Sequence, residues 1–200
     1  MFIELQNFLT LSTPNFRHSK LTYFVKFVII NELELMATTK NVSFSYQEFE
    51  SPAELETEDQ ELIAAAKEVA NHAYAPYSRF RVGAAVRLES GIIVRGSNVE
   101  NAAFPSGICA ERTAISGSVT NYPDDKPLAI AIAAMTDEGL TAECISPCGN
   151  CRQVIAEEEM RTGKRIRIIL SGRHKIQVIE SISLLLPLQF CRNNLRVNLP

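Results

Sequence analysis

Three thiols and one carboxylate carry the chemistry of this chain. They stand in Cys109-Ala110-Glu111 and, thirty-six positions after that glutamate, in Pro147-Cys148-Gly149-Asn150-Cys151. Three thiolates suit a zinc ion, with S–Zn distances of about 2.3 Å. A zinc site with three protein ligands keeps a place for water and is typically catalytic, whereas four protein ligands close a structural site. Glu111 is two residues from Cys109 and does not share its ligating direction. Close to a metal but not bound to it, a carboxylate can take a proton from an attacking water and hand it to a departing group.

The spacing also says how the ligands converge. Ser146-Pro147 reads as the N-cap and first position of a helix, because a hydroxyl can accept from an orphan amide and proline has no N–H to leave unsatisfied. Cys148 and Cys151 then lie three apart on one face of its first turns, with Cβ atoms about 5–6 Å apart. A helix start favours a thiolate there by roughly 0.3–1 kcal/mol. Pro105-Ser106-Gly107 predicts a loop, and a second helix beginning near Cys109 brings in the third sulfur. Three thiolates and Zn²⁺ sum to one negative charge, which opposes acidification of a bound water. Arg112, three residues after Cys109, stands where a hydrogen bond to a sulfur could offset that charge.

Other readings of the same residues stay in view. Cys148-Gly-Asn-Cys151 alone also fits a redox pair opening a helix, and a structural zinc knuckle could recruit Cys144 as a fourth ligand. The Cys109-Ala-Glu111 partner weighs against both. Cys144 reads as a small buried thiol and Cys191 as an incidental one. His18, His72 and His174 lie outside the motifs and read as surface or helix-end residues.

A first ligand two residues before a Glu, followed by P-C-x-x-C, is the general signature of zinc deaminases, which include a three-cysteine variant. The chain resembles cytidine deaminases of the small homotetrameric, three-cysteine kind. The matching stretches are Tyr77-Ser-Arg-Phe80-Arg-Val-Gly-Ala-Ala, Asn98-Val-Glu100-Asn-Ala-Ala-Phe104, Cys109-Ala-Glu111-Arg112-Thr-Ala-Ile, Ser146-Pro-Cys148-Gly-Asn-Cys151-Arg-Gln-Val and Leu185-Leu-Pro-Leu-Gln-Phe190. They occur in order across about residues 57–190.

The resemblance implies one zinc per subunit on Cys109, Cys148 and Cys151, with Glu111 as proton shuttle. It implies that Asn98 and Glu100 bind the sugar hydroxyls and that Phe80 lines the pyrimidine pocket. It places Ala110 and Ser146 where backbone groups meet the pyrimidine carbonyl and amino groups. Phe190 would be delivered to a neighbouring subunit's site in a homotetramer. Phe104 departs from the family, whose members often carry tyrosine there, so a hydroxyl contact across subunits would be lost. The implied reaction is hydrolytic deamination of cytidine and 2′-deoxycytidine, releasing ammonia. Blasticidin-type and nucleotide deaminases share the metal chemistry, but Glu100 beside the sugar would repel a nearby phosphate.

Composition narrows the class. Two hundred residues suit one domain with a proper core. A net charge of −3 with no basic run disfavours nucleic acid as a partner. Five cysteines form no even framework, and the usage fits a reducing, cytoplasmic setting. Leu21–Ile30 is apolar but holds Lys26 and falls short of the roughly 20 residues that span a bilayer, so no membrane association is expected. Met36-Ala-Thr-Thr-Lys resembles an ordinary protein start. Residues 1–35 therefore read as an upstream extension, 1–50 as an N-terminal extension, and 51–200 as the catalytic domain.

Elements that must position the site follow from periodicity. Ser43–Glu56 reads as a polar tether. Thr57-x-x-Gln60 reads as a capping box opening a helix through Leu62, Ile63, Ala66, Val69, Ala70, Ala73 and Tyr74 that Pro76 ends. Val82, Ala84, Val86 and Leu88 alternate as a strand, Glu89-Ser-Gly91 turns, and Ile92–Val94 returns. Leu128–Ala134 is apolar throughout, as for a strand buried on both faces. Arg165–Leu170 and Ile176–Ile179 predict further strands, and Ser181–Leu186 a short helix. The order predicts an α/β fold, a three-layer αβα sandwich around a mixed sheet of about five strands. Four to six strands fit the pattern; five is what the resemblance implies.

Overall fold

A computed structural model describes residues 37–195 of the chain. The chain divides into a unit spanning 1–42 and one spanning 43–200. The described residues of the first, 37–42, form no helix or strand. The expectations for residues 1–35 lie outside the described residues. All that follows concerns the second unit.

Its centre is a mixed sheet. The strands are β1 (Gln47–Phe49), β2 (Arg81–Leu88), β3 (Ile93–Ser97), β4 (Pro127–Thr136), β5 (Gly139–Leu140), β6 (Arg167–Ser171) and β7 (Ile176–Ile179). They are ordered β1-β7-β6-β4-β2-β3, with β5 folded back on the end of β4. β4 and β6 run parallel, and the remaining pairs are antiparallel. Three α-helices cover it: α1 (Thr57–Ala70), α2 (Ala110–Asn121) and α3 (Gly149–Thr162). The expected sandwich is present, with seven strands where about five were anticipated. Two short ones, β1 and β5, make the difference.

Alternation along β4 assigns the layers. Ala129, Ala131 and Ala133 pack with Leu62, Ile63 and Ala66 of α1. Ile130 and Ile132 point the other way, into the cluster holding Ala114 and Ile115 of α2 and Ile155 of α3. The small alanine face lets α1 lie close. At Gly83 an added Cβ would sit 2.0 Å from the Ala66 carbonyl oxygen, and at Gly96 one would sit 2.4 Å from the Ala114 amide nitrogen. Hence α1 rests on β2 and α2 on β3 at backbone contact distance, which only glycine permits.

Local expectations fail where longer-range bonds win. Thr57 is already helical, and the extended residue before it is Glu56, which makes no side-chain cap. Gln60 instead donates to the Leu55 carbonyl at 2.9 Å. The capping box lies one turn earlier, around the 3-10 turn Pro52–Glu54, with Ser51 and Glu54 as its partners. Helix α1 stops at Ala70 and not at Pro76. Asn71 donates to the Glu68 carbonyl, and Tyr74 is drawn off to bridge Asn98 and Glu100 through its backbone. The stretch read as a tether contains β1, paired with β7 and fastened by Lys175–Glu48 at 2.9 Å. Ser181–Leu186 shortens to a 3-10 turn, Ile182–Leu184, capped by the Ser181 side chain.

At the end of the sheet away from the C-termini of β3 and β4, Asp59 of α1 is 1% exposed. Arg167 of β6 hydrogen-bonds it, and Arg87 of β2 makes a 3.0 Å charge contact without hydrogen-bond alignment. The triad ties the first turn of α1 to two strands.

Candidate metal centre

Strands β3 and β4 both run antiparallel to β2, so they point the same way. Their C-terminal ends therefore lie at one edge of the sheet. Each is followed by a helix whose N-cap is a cysteine: Cys109 for α2 and Cys148 for α3. The cap of α3 is Cys148 itself and not the expected Ser146, so the helix begins at Gly149. Extended backbone at Cys148 (ψ 166°) precedes the first helical bond, from the Arg152 amide to the Cys148 carbonyl at 2.9 Å. Cys151 then falls on the first turn, buried, with its sulfur 3.5 Å from that of Cys148.

The sulfurs of Cys109, Cys148 and Cys151 all lie within 4.8 Å of one another. Tetrahedral ligation at about 2.3 Å per bond sets sulfurs roughly 3.8 Å apart, so the trio fits one zinc ion. The charges fit as well. Burial pushes the Cys109 and Cys151 thiols up, and the nearby Glu111 charge adds to it. Burial also works to raise Cys148, but the Cys151 and Asn150 amides and the neighbouring thiols outweigh it and bring it down. Neither amide closes a full cap to that sulfur; their dipoles act from the helix start. Three converging sulfurs, two of them with ionisation opposed by burial, are a donor set suited to a divalent cation.

No fourth protein ligand joins the group among the described residues. The Cys144 thiol faces the Leu170 and Lys175 carbonyl oxygens, each at 3.2 Å, and is half-buried where a fully buried thiol was expected. A four-ligand structural knuckle is thus not formed, and a two-thiol redox pair leaves Cys109 unexplained.

A cavity of about 460 Å³ opens beside the sulfurs. Glu111, on the second position of α2, lines it and is 6% exposed. Burial raises its carboxyl above the ordinary value, against opposing hydrogen bonds from its own amide and from Cys151. Burial at the cavity wall thus makes this carboxyl a stronger proton acceptor than an exposed one, as suits an acid–base group. Ala110 and Ser146 line the same cavity, as do Phe80, Asn98, Glu100 and Phe104. Asn98 is engaged by backbone: it accepts from the Val82 amide at 2.7 Å and donates to the Phe80 carbonyl at 3.0 Å. Phe104 is 76% exposed and meets Tyr77 edge-on, with ring centroids 5.9 Å apart.

Two residues singled out in the sequence lie outside this cavity, Phe190 having been expected at a neighbouring subunit's site and Arg112 at a sulfur. Phe190 does not line this cavity; its carbonyl accepts from Gln153 at 2.8 Å and its ring is 57% exposed. Arg112 makes no side-chain hydrogen bond among the described residues and does not line the cavity either. Another arginine, Arg152, is anchored by backbone: it donates to the Pro147 and Leu185 carbonyls at 2.8 and 2.9 Å. Pattern reading missed it, although its position directly after Cys151 was a signal. The apolar walls Val82, Ile132 and Ile145 were also missed, since in sequence they are indistinguishable from core.

Comparisons with known proteins agree with this geometry. The model of the cytidine and deoxycytidylate deaminase zinc-binding region matches residues 56–164. A cytidine deaminase of Halalkalibacterium halodurans is 44% identical over 98 residues, covering 49% of this chain and 70% of that protein. One of Sporosarcina psychrophila is 46% identical over 98 residues, covering 49% and 68%. The crystal structure of cytidine deaminase from Burkholderia pseudomallei superposes with a TM-score of 0.56 at 38% identity, covering 65% of this chain and 97% of that one. With the three thiols, the buried glutamate and the sheet edge that gathers them, these matches make the chain a member of the cytidine and deoxycytidylate deaminase zinc-binding family.

Proposed function

We propose that the chain catalyses zinc-dependent hydrolytic deamination of cytidine and 2′-deoxycytidine to uridine and 2′-deoxyuridine, releasing ammonia. The observation that carries it is the three-sulfur cluster beside a cavity whose buried acid is Glu111. When bound, zinc supplies Lewis acidity and acidifies a coordinated water. Cys109, Cys148 and Cys151 hold it, and the helix starts at Cys109 and Cys148 favour their thiolates. Glu111 takes the proton from the attacking water and passes it to the ring nitrogen N3. It then carries a second proton to the amino group at C4, which leaves as ammonia. Burial raises its proton affinity, which favours its service as acceptor and donor in turn.

Asn98 and Glu100 are assigned to the sugar hydroxyls, Phe80 to the pyrimidine face, and the backbone of Ala110 and Ser146 to the pyrimidine edge. Arg112 is assigned to the sulfurs' excess charge. The working unit is a cytoplasmic homotetramer of the sheet-bearing domain, which takes in β1 before residue 51, with Phe190 supplied by a neighbouring subunit. The exposed Tyr77–Phe104 pair at the cavity mouth offers apolar surface that a neighbouring subunit would cover in a shared site. Among the described residues no helix is long and apolar enough to cross a membrane.

Ammonia release from cytidine, cytidine monophosphate and blasticidin S, measured alongside zinc content, tests the proposal. Turnover of cytidine with one zinc per chain is expected. Preference for the monophosphate, or activity in metal-free protein, would refute it.

A further inference from the structure

The carboxylate of Glu100 does not stand free at the cavity mouth. Its Oε2 accepts from the amides of Tyr77 at 2.9 Å and Ser78 at 3.2 Å, and its Oε1 accepts from the Ser78 hydroxyl. The same hydroxyl accepts from the Phe80 amide at 3.0 Å. Between Ser78 and Phe80 lies Arg79, with φ 56°, the non-glycine residue that adopts left-handed backbone among those described. A residue bearing a β-carbon keeps that conformation only where its surroundings over-determine it. Here two amides and a hydroxyl converge on one carboxylate to impose it. Hydrogen bonding from Ser78, joined by the Tyr77 and Ser78 amides, holds the Glu100 carboxyl below its usual range, so the clamp is anionic at neutral pH.

Ser78 is itself a wall of the main cavity and of the adjoining cleft that Tyr77, Asn101 and Phe104 line. A carboxylate offers about four lone-pair sites. The chain occupies three on Glu100, leaving one for a ligand. We propose that Ser78 is a positioning residue, whose hydroxyl couples Glu100 at the sugar end of the cavity to Phe80 at the pyrimidine end through the turn at Arg79. The proposal rests on the nucleoside reading of the cavity. It makes the two ends of the ligand interdependent: a hydroxyl drawn to Glu100 pulls on the same group that sets the Phe80 ring.

Zinc-loaded full-length protein, wild type and with Ser78→Ala, Ser78→Thr, Glu100→Gln and the Ala/Gln double change, provides the test. Turnover is measured with cytidine and with 2′,3′-dideoxycytidine, which lacks both sugar hydroxyls. Ser78→Ala is expected to lower kcat/KM with both nucleosides, about tenfold for cytidine, the scale of one hydrogen bond to a charged acceptor, and less for the dideoxynucleoside, which does not draw on Glu100. Ser78→Thr, which keeps the hydroxyl, restores it. Glu100→Gln adds less in the Ser78→Ala background than alone, because the two act as one unit. Amide hydrogen exchange over 77–80 speeds up in Ser78→Ala. A loss confined to cytidine would overturn the proposal by making Ser78 a direct sugar contact. Unchanged exchange over 77–80 would overturn it whatever the turnover. If wild-type protein ignores cytidine, the nucleoside reading fails, and the exchange measurement still decides the clamp.

Discussion

Replacing Gly96 with alanine tests whether helix α2 must touch the sheet for the site to form. The added Cβ would meet the Ala114 amide nitrogen at 2.4 Å and the Ala110 carbonyl oxygen at 2.6 Å, where ordinary contact begins at 3.4 Å. Both atoms are backbone, so no side chain can swing away; α2 must lift by about 1 Å or β3 must sink. Overpacking of this kind costs about 1–3 kcal/mol. Its effect on chemistry is larger, because the displaced turn carries Cys109 and Glu111, while Cys148 and Cys151 stay with α3. A misplacement of about 1 Å can remove about 10² in rate. The measurements are thermal unfolding, zinc per chain by mass spectrometry and cytidine turnover. The expected outcome is a folded protein of lower Tm that has lost nearly all turnover. Gly149→Ala is the control, since a Cβ there meets nothing within 4 Å although it lies between two ligands; it is expected to stay near wild-type activity. Wild-type Tm and full turnover in Gly96→Ala would show that backbone contact between α2 and β3 does not set the site.

Three further outcomes are expected. Glu111→Gln keeps zinc but loses about 10²–10⁴ in turnover, since only the proton shuttle is removed; full activity with zinc bound would exclude Glu111 from that role. Cys148→Ser abolishes zinc binding while Cys144→Ser retains it, measured as zinc per chain after dialysis, because Cys144 bonds carbonyls and is outside the cluster. Asp59→Ala lowers unfolding free energy by about 3 kcal/mol, read by denaturant titration, because it strands two arginine charges, yet zinc content is unchanged because Asp59 lies at the far end of the sheet from the cluster.

The ligand set was legible because its chemistry is local: Cys148 and Cys151 share one turn, and Glu111 follows Cys109 by two. The alternation of Val82, Ala84, Val86 and Leu88 and the apolar run of β4 likewise report burial directly. What could not be read depends on partners distant in sequence. Strand β1 is three residues long and exists because β7 offers an edge. The end of α1 is set by a bridge to residues 98–100, which periodicity at Ala73 and Tyr74 does not record. Ser146-Pro147 carries good cap chemistry, yet the Pro147 carbonyl is held by Arg152 and the helix starts after Cys148. Ser78 looks like any polar loop residue until Glu100, twenty-two positions on, is brought beneath it.

Two of the three sulfurs sit on one helical turn and the third is thirty-nine positions earlier, with α2, β4 and β5 strung between them. An ion gripping all three would therefore close a ring of polypeptide around the sheet's middle strand. The CxxC half of that grip needs only a nascent helix, whereas the Cys109 half waits until β3 and β4 lie in register with β2. An ion held by all three sulfurs would thus bind at full strength only to a chain whose sheet is already assembled.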